Sequence, residues 1–262
     1  GATAVGYASL SNNTSGAGNT AVGYQSGQSL TTGDHNTFIG YRSADGGTIT
    51  GIENTALGTT SLQALTSGGQ NTALGVRAGL LMATGSANVF IGKDAGDSAS
   101  ACSNVIAIGH NAMHTVTDST AVDGTIAIGE SALDALTSGA KNVAIGYKAG
   151  ESYNGSNSVI IGYEAGLDVD GGSGDSTLIG MEAGKHLDDG TFNTAIGAEA
   201  MKSTGTSNTA IRNTCIGWRA GDLIRTGSDN VVIGHGAEVS ATDAVNQISI
   251  GKETQGQGDN TV

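Results

Sequence analysis

The chain has 262 residues, with 44 glycines, no proline, 13% charged and 37% hydrophobic residues, and a formal net charge of −13. Collagen is excluded, because it needs glycine at every third position and abundant proline, and disorder is excluded because apolar residues recur at fixed intervals and give the chain something to bury. The acidic balance repels phosphate backbones and anionic headgroups, which argues against nucleic acid or bare membrane as partner, and no apolar run approaches the ~20 residues that span a bilayer.

A repeat dominates the chain from its first residues. Glycine follows an aliphatic residue at Gly6, Gly23, Gly40, Gly58, Gly75, Gly92, Gly109, Gly129, Gly146, Gly162, Gly180, Gly197, Gly217, Gly234 and Gly251, fifteen copies at a spacing near 17. The residue before each glycine is Val, Leu or Ile, and the residue three before it is β-branched throughout, with eight threonines among the fifteen. That is strand chemistry, and it predicts an all-β, parallel β-solenoid or β-roll of about 15 stacked ~17-residue repeats running over 1–262 as one array. Fifteen rungs at ~4.8 Å give roughly 70 Å of length.

Two positions apart in a strand share a face, so the aliphatic and β-branched rows are expected to point together into the coil. The position between them is also apolar, with Ala21, Phe38, Ala56, Phe90 and Ile160 among its occupants and Ser249 as its one polar residue. A strand apolar on both faces is buried on both, so the alanine-rich row is expected to pack against a second chain. Asparagine stands four before the glycine in nine copies, including Asn19, Asn36, Asn54 and Asn71, and predicts an amide ladder. Three after the glycine the residue is always small, as at Ser26 and Ala78, which implies a tight corner.

Along the chain, aromatics follow the anchor glycine at Tyr7, Tyr24, Tyr41, Tyr147, Tyr163 and Trp218. One edge of the stack therefore carries aromatic ladders, which are glycan-binding candidates; the plain alternative is a ladder that closes the turn. Cys102 and Cys215 fall about six rungs apart, roughly 29 Å at ~4.8 Å per rung, too far for a disulfide. His110 and His114 stand four apart without a third ligand nearby, so no metal is expected. The longer step from Gly109 to Gly129 is an insertion through Thr115 to Asp123. The stretch Ser131 to Leu136 reads equally as strand or short helical turn.

Acidic turns at Asp168-Val169-Asp170-Gly171-Gly172 and Asp188-Asp189-Gly190 lack the spacing of calcium-binding rolls and read as solubilising loops. Gly171-Gly172-Ser173-Gly174 lacks the lysine and strand-to-helix setting of a phosphate loop. Asn208-Thr209-Ala210-Ile211-Arg212 nearly duplicates the Asn213 to Gly217 unit that follows it. Asp259-Asn260-Thr261-Val262 reads like the opening of another repeat, so a segment of a longer protein is expected. No nucleophile, base and orienting acid form a recognisable set, so no enzyme, catalytic residue or cofactor is expected.

The unit Asn142-Val143-Ala144-Ile145-Gly146-Tyr147-Lys148-Ala149 resembles the head repeat of trimeric autotransporter adhesins and the N-T-A-I-G-Y-x-A-G arrays of bacteriophage tail fibres. This resemblance covers nearly the whole chain. It implies a homotrimer with the alanine face at the contact, an extracellular place on a virion or cell surface, and a structural, non-catalytic fibre or adhesin shaft for host or surface attachment through a glycan or protein receptor. The alternative is a monomeric ice- or glycan-binding solenoid. It is disfavoured here because the threonines share the face of the aliphatic row and are expected inside. A polysaccharide-degrading tailspike would need paired acids across a groove.

Overall fold

The computed structural model describes residues 1–116, 121–169, 174–203 and 208–261. Two compact units divide at Ser131 and Ala132. The first holds β1 (Thr3–Val5), β2 (Thr20–Val22), β3 (Thr37–Ile39), β4 (Thr55–Leu57), β5 (Thr72–Leu74), β6 (Val89–Ile91), β7 (Ile106–Ile108) and β8 (Ile126–Ile128). The second holds β9 (Val143–Ile145), β10 (Val159–Ile161), β11 (Thr177–Ile179), β12 (Thr194–Ile196), β13 (Thr214–Ile216), β14 (Val231–Ile233) and β15 (Ile248–Ile250). All fifteen strands are three residues long and parallel, no helix occurs among the described residues, and coils of about 17 residues make the chain a β-solenoid.

Register is strict within each unit. Thr20 pairs with Thr37, Ala21 with Phe38 and Val22 with Ile39, and every later pairing joins the same three repeat positions. The two neighbours of any side chain along the stack are therefore its own repeat equivalents. The anchor glycine shows why no other residue serves there. Gly40 has φ +139°, and a Cβ placed on it would lie 2.4 Å from the carbonyl oxygen of Gly58. Gly58 stands in the same relation to Gly75, at 2.2 Å. Both the backbone conformation and the approach of the next coil demand a missing side chain.

Corners form as expected. The residue two after the glycine takes the left-handed conformation, as at Gln25 (φ +54°) and Arg77 (φ +60°). The next amide then folds back, so that Ala78 N–H donates to the Gly75 carbonyl at 3.4 Å. The stretch Ser131 to Leu136 resolves as neither strand nor right-handed helical turn, because Ser131 (φ +53°) and Leu133 (φ +50°) are left-handed.

The asparagine ladder is present and buried. Asn54 Oδ1 accepts from Asn71 N–H and Nδ2, both at 3.0 Å, while Asn54 Nδ2 donates to Asn36 Oδ1 at 3.0 Å and to the Gly68 carbonyl at 2.9 Å. The amide thus ties strand to strand and also closes its own coil onto the next. In the second unit Ser158 and Ser176 interrupt the row, and backbone N–H groups donate to their hydroxyls instead. The fully buried Tyr153 brings its hydroxyl to Ser158, filling the space the shorter side chain leaves.

The strand faces are the reverse of the sequence expectation. From β2 onward the middle residue of every strand is buried, and the residues on either side are half-buried or exposed. Ala21, Phe38, Ala56 and Phe90 are completely covered by their own coil, so the alanine row needs no second chain. The expectation failed because a three-residue strand buries only one side chain inward. Alanine is the common occupant because it leaves room for side chains arriving from the far wall of the coil.

That far wall is the residue four after the anchor glycine. Where it is large, as at Leu62, Met113, Leu133 and Met201, the strand contributes alanine (Ala56, Ala107, Ala127, Ala195); where the strand contributes Phe90, Ile160, Leu178 or Cys215, the opposite residue is Gly96, Gly166, Gly184 or Gly221. A Cβ on Gly96 would lie 2.3 Å from the Phe90 ring. Where both residues are small, as at Ala73 with Gly79, side chains of the neighbouring coils fill the space, since a Cβ on Gly79 would lie 2.8 Å from the Phe90 ring and 2.9 Å from Leu62, so bulk is traded both across a coil and between successive coils.

Gly75→Ala is expected to cost about 2–6 kcal/mol, summing strain of about 1–3 and overpacking of about 1–3. Asn54→Ala orphans the Asn71 N–H and the Gly68 carbonyl and is expected to cost about 2–4 kcal/mol. Urea denaturation followed by circular dichroism measures both, and a loss under 1 kcal/mol in either variant would contradict this account.

Candidate functional site

The surface that the fold exposes in most regular form is the outward face of the strands. Two rows line it, one of Thr, Val or Ile three before the glycine and one of Val, Leu or Ile immediately before it, and neither contains a charged residue. In the first unit Thr3, Thr20, Thr37, Thr55 and Thr72 occupy five consecutive rungs, each exposed or half-buried. Val5, Leu57, Ile145 and Ile250 are among the exposed aliphatics. Parallel register stacks each row rung on rung within a unit, and the threonines stand outside rather than inside as the sequence suggested.

The predicted aromatic edge lies just beyond this face. Tyr7, Tyr24 and Tyr41 stack in order, with ring centroids 5.2 and 5.3 Å apart and planes inclined by 13° and 10°. Tyr147 and Tyr163 stack at 5.2 Å. Near-parallel rings at that separation overlap with an offset. The inner ring, Tyr24, therefore has part of each face covered, and the exposed surface is a shingled strip rather than separate platforms for sugars. Trp218 extends the set in a way periodicity did not reveal, since its partner is His235 at 4.7 Å with a 36° tilt, and the Arg219 guanidinium lies 5.4 Å from its centroid. The signal was there to find, because His235 also directly follows an anchor glycine.

Beside the aromatic row of the second unit runs a self-neutralising ionic row. Lys185 Nζ is 2.6 Å from Glu164 and 2.8 Å from Glu182, and Lys202 Nζ is 2.6 Å from Glu182. These ions satisfy one another across rungs and are built for stacking rather than for a ligand.

The other sequence candidates separate in space. His110 lies 3.9 Å from Glu130 and His114 lies 3.7 Å from Asp97, so the two rings face different acids. Among the described residues no three metal-ligating side chains come together, and no helix is long and apolar enough to cross a membrane. Asp188 accepts the Asn208 backbone N–H at 3.1 Å. Residues 170–173, which carry most of the first acidic turn and of the glycine-rich run, lie outside the described residues, as do 117–120 of the insertion and Val262 of the closing residues. The near-duplicate unit does not bulge free at its described end, since Asn208 is buried and Ile211 bridges to Thr191 and Ser228. Cys102 and Cys215 are free thiols, both buried. Burial pushes Cys102 up to about 12 and Cys215 upward as well, so neither is a ready nucleophile.

One group was not singled out by the repeat. Glu238 occupies the far-wall position that Leu, Gly, Ala or Met fills in earlier coils, and its carboxylate accepts the N–H groups of Asp222 and Leu223 at 3.1 and 3.2 Å. Burial, reinforced by the Asp222 carboxylate and opposed by Arg219 and these two bonds, pushes its pKa up to about 7.

No protein-family model matches the chain, and no curated protein matches it either.

A carboxyl whose folded pKa is raised contributes stability that is fully present below its ordinary value near 4.5 and lost as pH rises through about 7. Thermal melts from pH 4.5 to 8 are expected to fall across this window in the native chain, and Glu238→Gln is expected to flatten that slope. An unchanged slope in the variant would assign the pH dependence to another group.

Proposed function

We propose that this chain is a structural, non-catalytic shaft segment of an extracellular fibre or adhesin on a virion or cell surface, assembled as a homotrimer and serving attachment. One observation carries the reading: a chain of net charge −13 keeps all its charged residues off a regular, partly apolar strand face that its own coil leaves uncovered. Copies that repel one another elsewhere can approach there without facing charges. The contact is the Thr/Val/Ile and aliphatic rows, not the alanine row. The resemblance to adhesin head and tail-fibre repeats points the same way. Receptor contact falls to the edge of the first unit, where the strip of Tyr7, Tyr24 and Tyr41 offers offset ring surface to a glycan or protein.

A second reading has gained from the fold. The objection to an ice-binding solenoid was that the threonines would be inside, yet five consecutive ones stand outward on a straight row. In that reading the face meets ordered water instead of a second chain.

Sedimentation equilibrium separates the two. A particle of three times the 25.8 kDa chain mass is expected, and a monomer at micromolar concentration would overturn the trimeric shaft. Thermal hysteresis that disappears in Thr37→Lys would then establish the ice-binding alternative.

A further inference from the structure

A face built from identical rungs has a register problem. Sliding one copy past another by one rung, ~4.8 Å, returns Thr and Ile rows to equivalent neighbours at little change in energy. Something aperiodic has to choose the register, and in the second unit it is found in the two rows that flank the face. These are the residue five before the anchor glycine and the residue one after it.

On β12, β13 and β14 these flanking residues are Phe192 and Ala198, Arg212 and Trp218, and Asp229 and His235. Three copies that turn their sheet faces toward a common axis bring the leading edge of each against the trailing edge of the next, a heterologous contact that closes into a ring. With equal rungs level, each pair just named meets across the contact. Arginine lies against an indole, carboxylate against imidazole, and a bulky ring against a methyl group. Arg212 loses its indole in either slip of one rung, meeting His235, a second basic group, in one direction and Ala198 in the other.

Phe192 is the independent sign that this edge is covered. It is 56% exposed and sits at φ +58°, a conformation that disfavours bulky side chains by roughly 1–2 kcal/mol. The row's other described members in this unit are all polar, and more than half of the Phe192 surface is left open. Arg212 is already held in place by Asp229 through two bonds of 2.6 and 2.9 Å, and Trp218 by its stack on His235. Both halves of the contact are thus preformed within one chain. We propose that these six residues form the intersubunit contact that fixes rung register in the homotrimer. The inference rests on the trimeric reading above.

The test is disulfide trapping in the full chain. Positions 229 and 235 flank β14, whose three residues alone span roughly 10 Å at ~3.3 Å per residue, beyond the Cα separation a disulfide bridges, so a bond between cysteines placed there joins different copies. Asp229→Cys with His235→Cys is expected to give a covalent trimer on a non-reducing gel after mild oxidation. Arg212→Cys with His235→Cys, one rung out of level, is expected to give at least fivefold less. The native thiols are buried and add no background. Equal trapping of the two pairs, or none in a preparation that sediments as a trimer, overturns the register contact and leaves the trimer standing; a monomer overturns both. As a second variant, Phe192→Asp places a residue suited to left-handed backbone. It is expected to keep or raise the melting temperature of the dilute monomer while weakening assembly at least tenfold, whereas a lowered melting temperature with unchanged assembly would show a merely structural role.

Discussion

Within each unit, the carbonyl of an anchor glycine lies where a side chain on the preceding anchor glycine would begin, and the coil's regularity follows from this contact. Gly40 against Gly58, and Gly58 against Gly75, bring the backbone of successive coils to a separation only glycine permits, in a conformation only glycine adopts readily. With that column closed, the parallel pairing of the adjacent strand has a single register, because a shift of one residue would put a Cβ into a carbonyl oxygen. The left-handed corner two residues later is then reached by the same path in every coil.

Two further columns depend on that register. The asparagine amide can bond to its equivalents above and below only because they recur at the same height, and it saturates buried backbone groups that no strand partner reaches. Inside the coil, strand residue and far-wall residue share one volume. Phe90 opposite Gly96 and Ala56 opposite Leu62 fill it equally well, and for that reason the middle strand position tolerates Ala, Phe, Ile, Leu and Cys while the glycine column tolerates nothing else. Glu238 stands out against this background as a carboxyl placed where every earlier coil has an apolar residue or glycine, and its raised pKa is the consequence of burial there.

The outward face inherits its regularity from the same stacking. Its threonine and aliphatic rows are uniform, whereas the flanking rows vary from rung to rung, with tyrosines near the start of each unit and the Trp218 and His235 pair later in the second. Uniformity suits a contact that extends along many rungs; variation at the rims suits the choice of one alignment among many. The proposed attachment shaft would need both.

Periodicity in the residue string was enough to establish strands, their parallel stacking, the glycine corner and the asparagine ladder, because each of these requires only that like positions recur and lie side by side. Which face of the strand turned inward was settled in three dimensions alone. Hydrophobicity could not distinguish them, since Ala21 and Val22 are both apolar; the answer depended on how much space the far wall of the coil occupies, and Leu62, Met113 and Gly96 lie in turns whose left-handed geometry no simple alternation encodes. The same limit hid the Trp218 stack on His235 and the displaced acidity of Glu238, for both arise from neighbours one coil away, at distances set by packing and not by order along the chain.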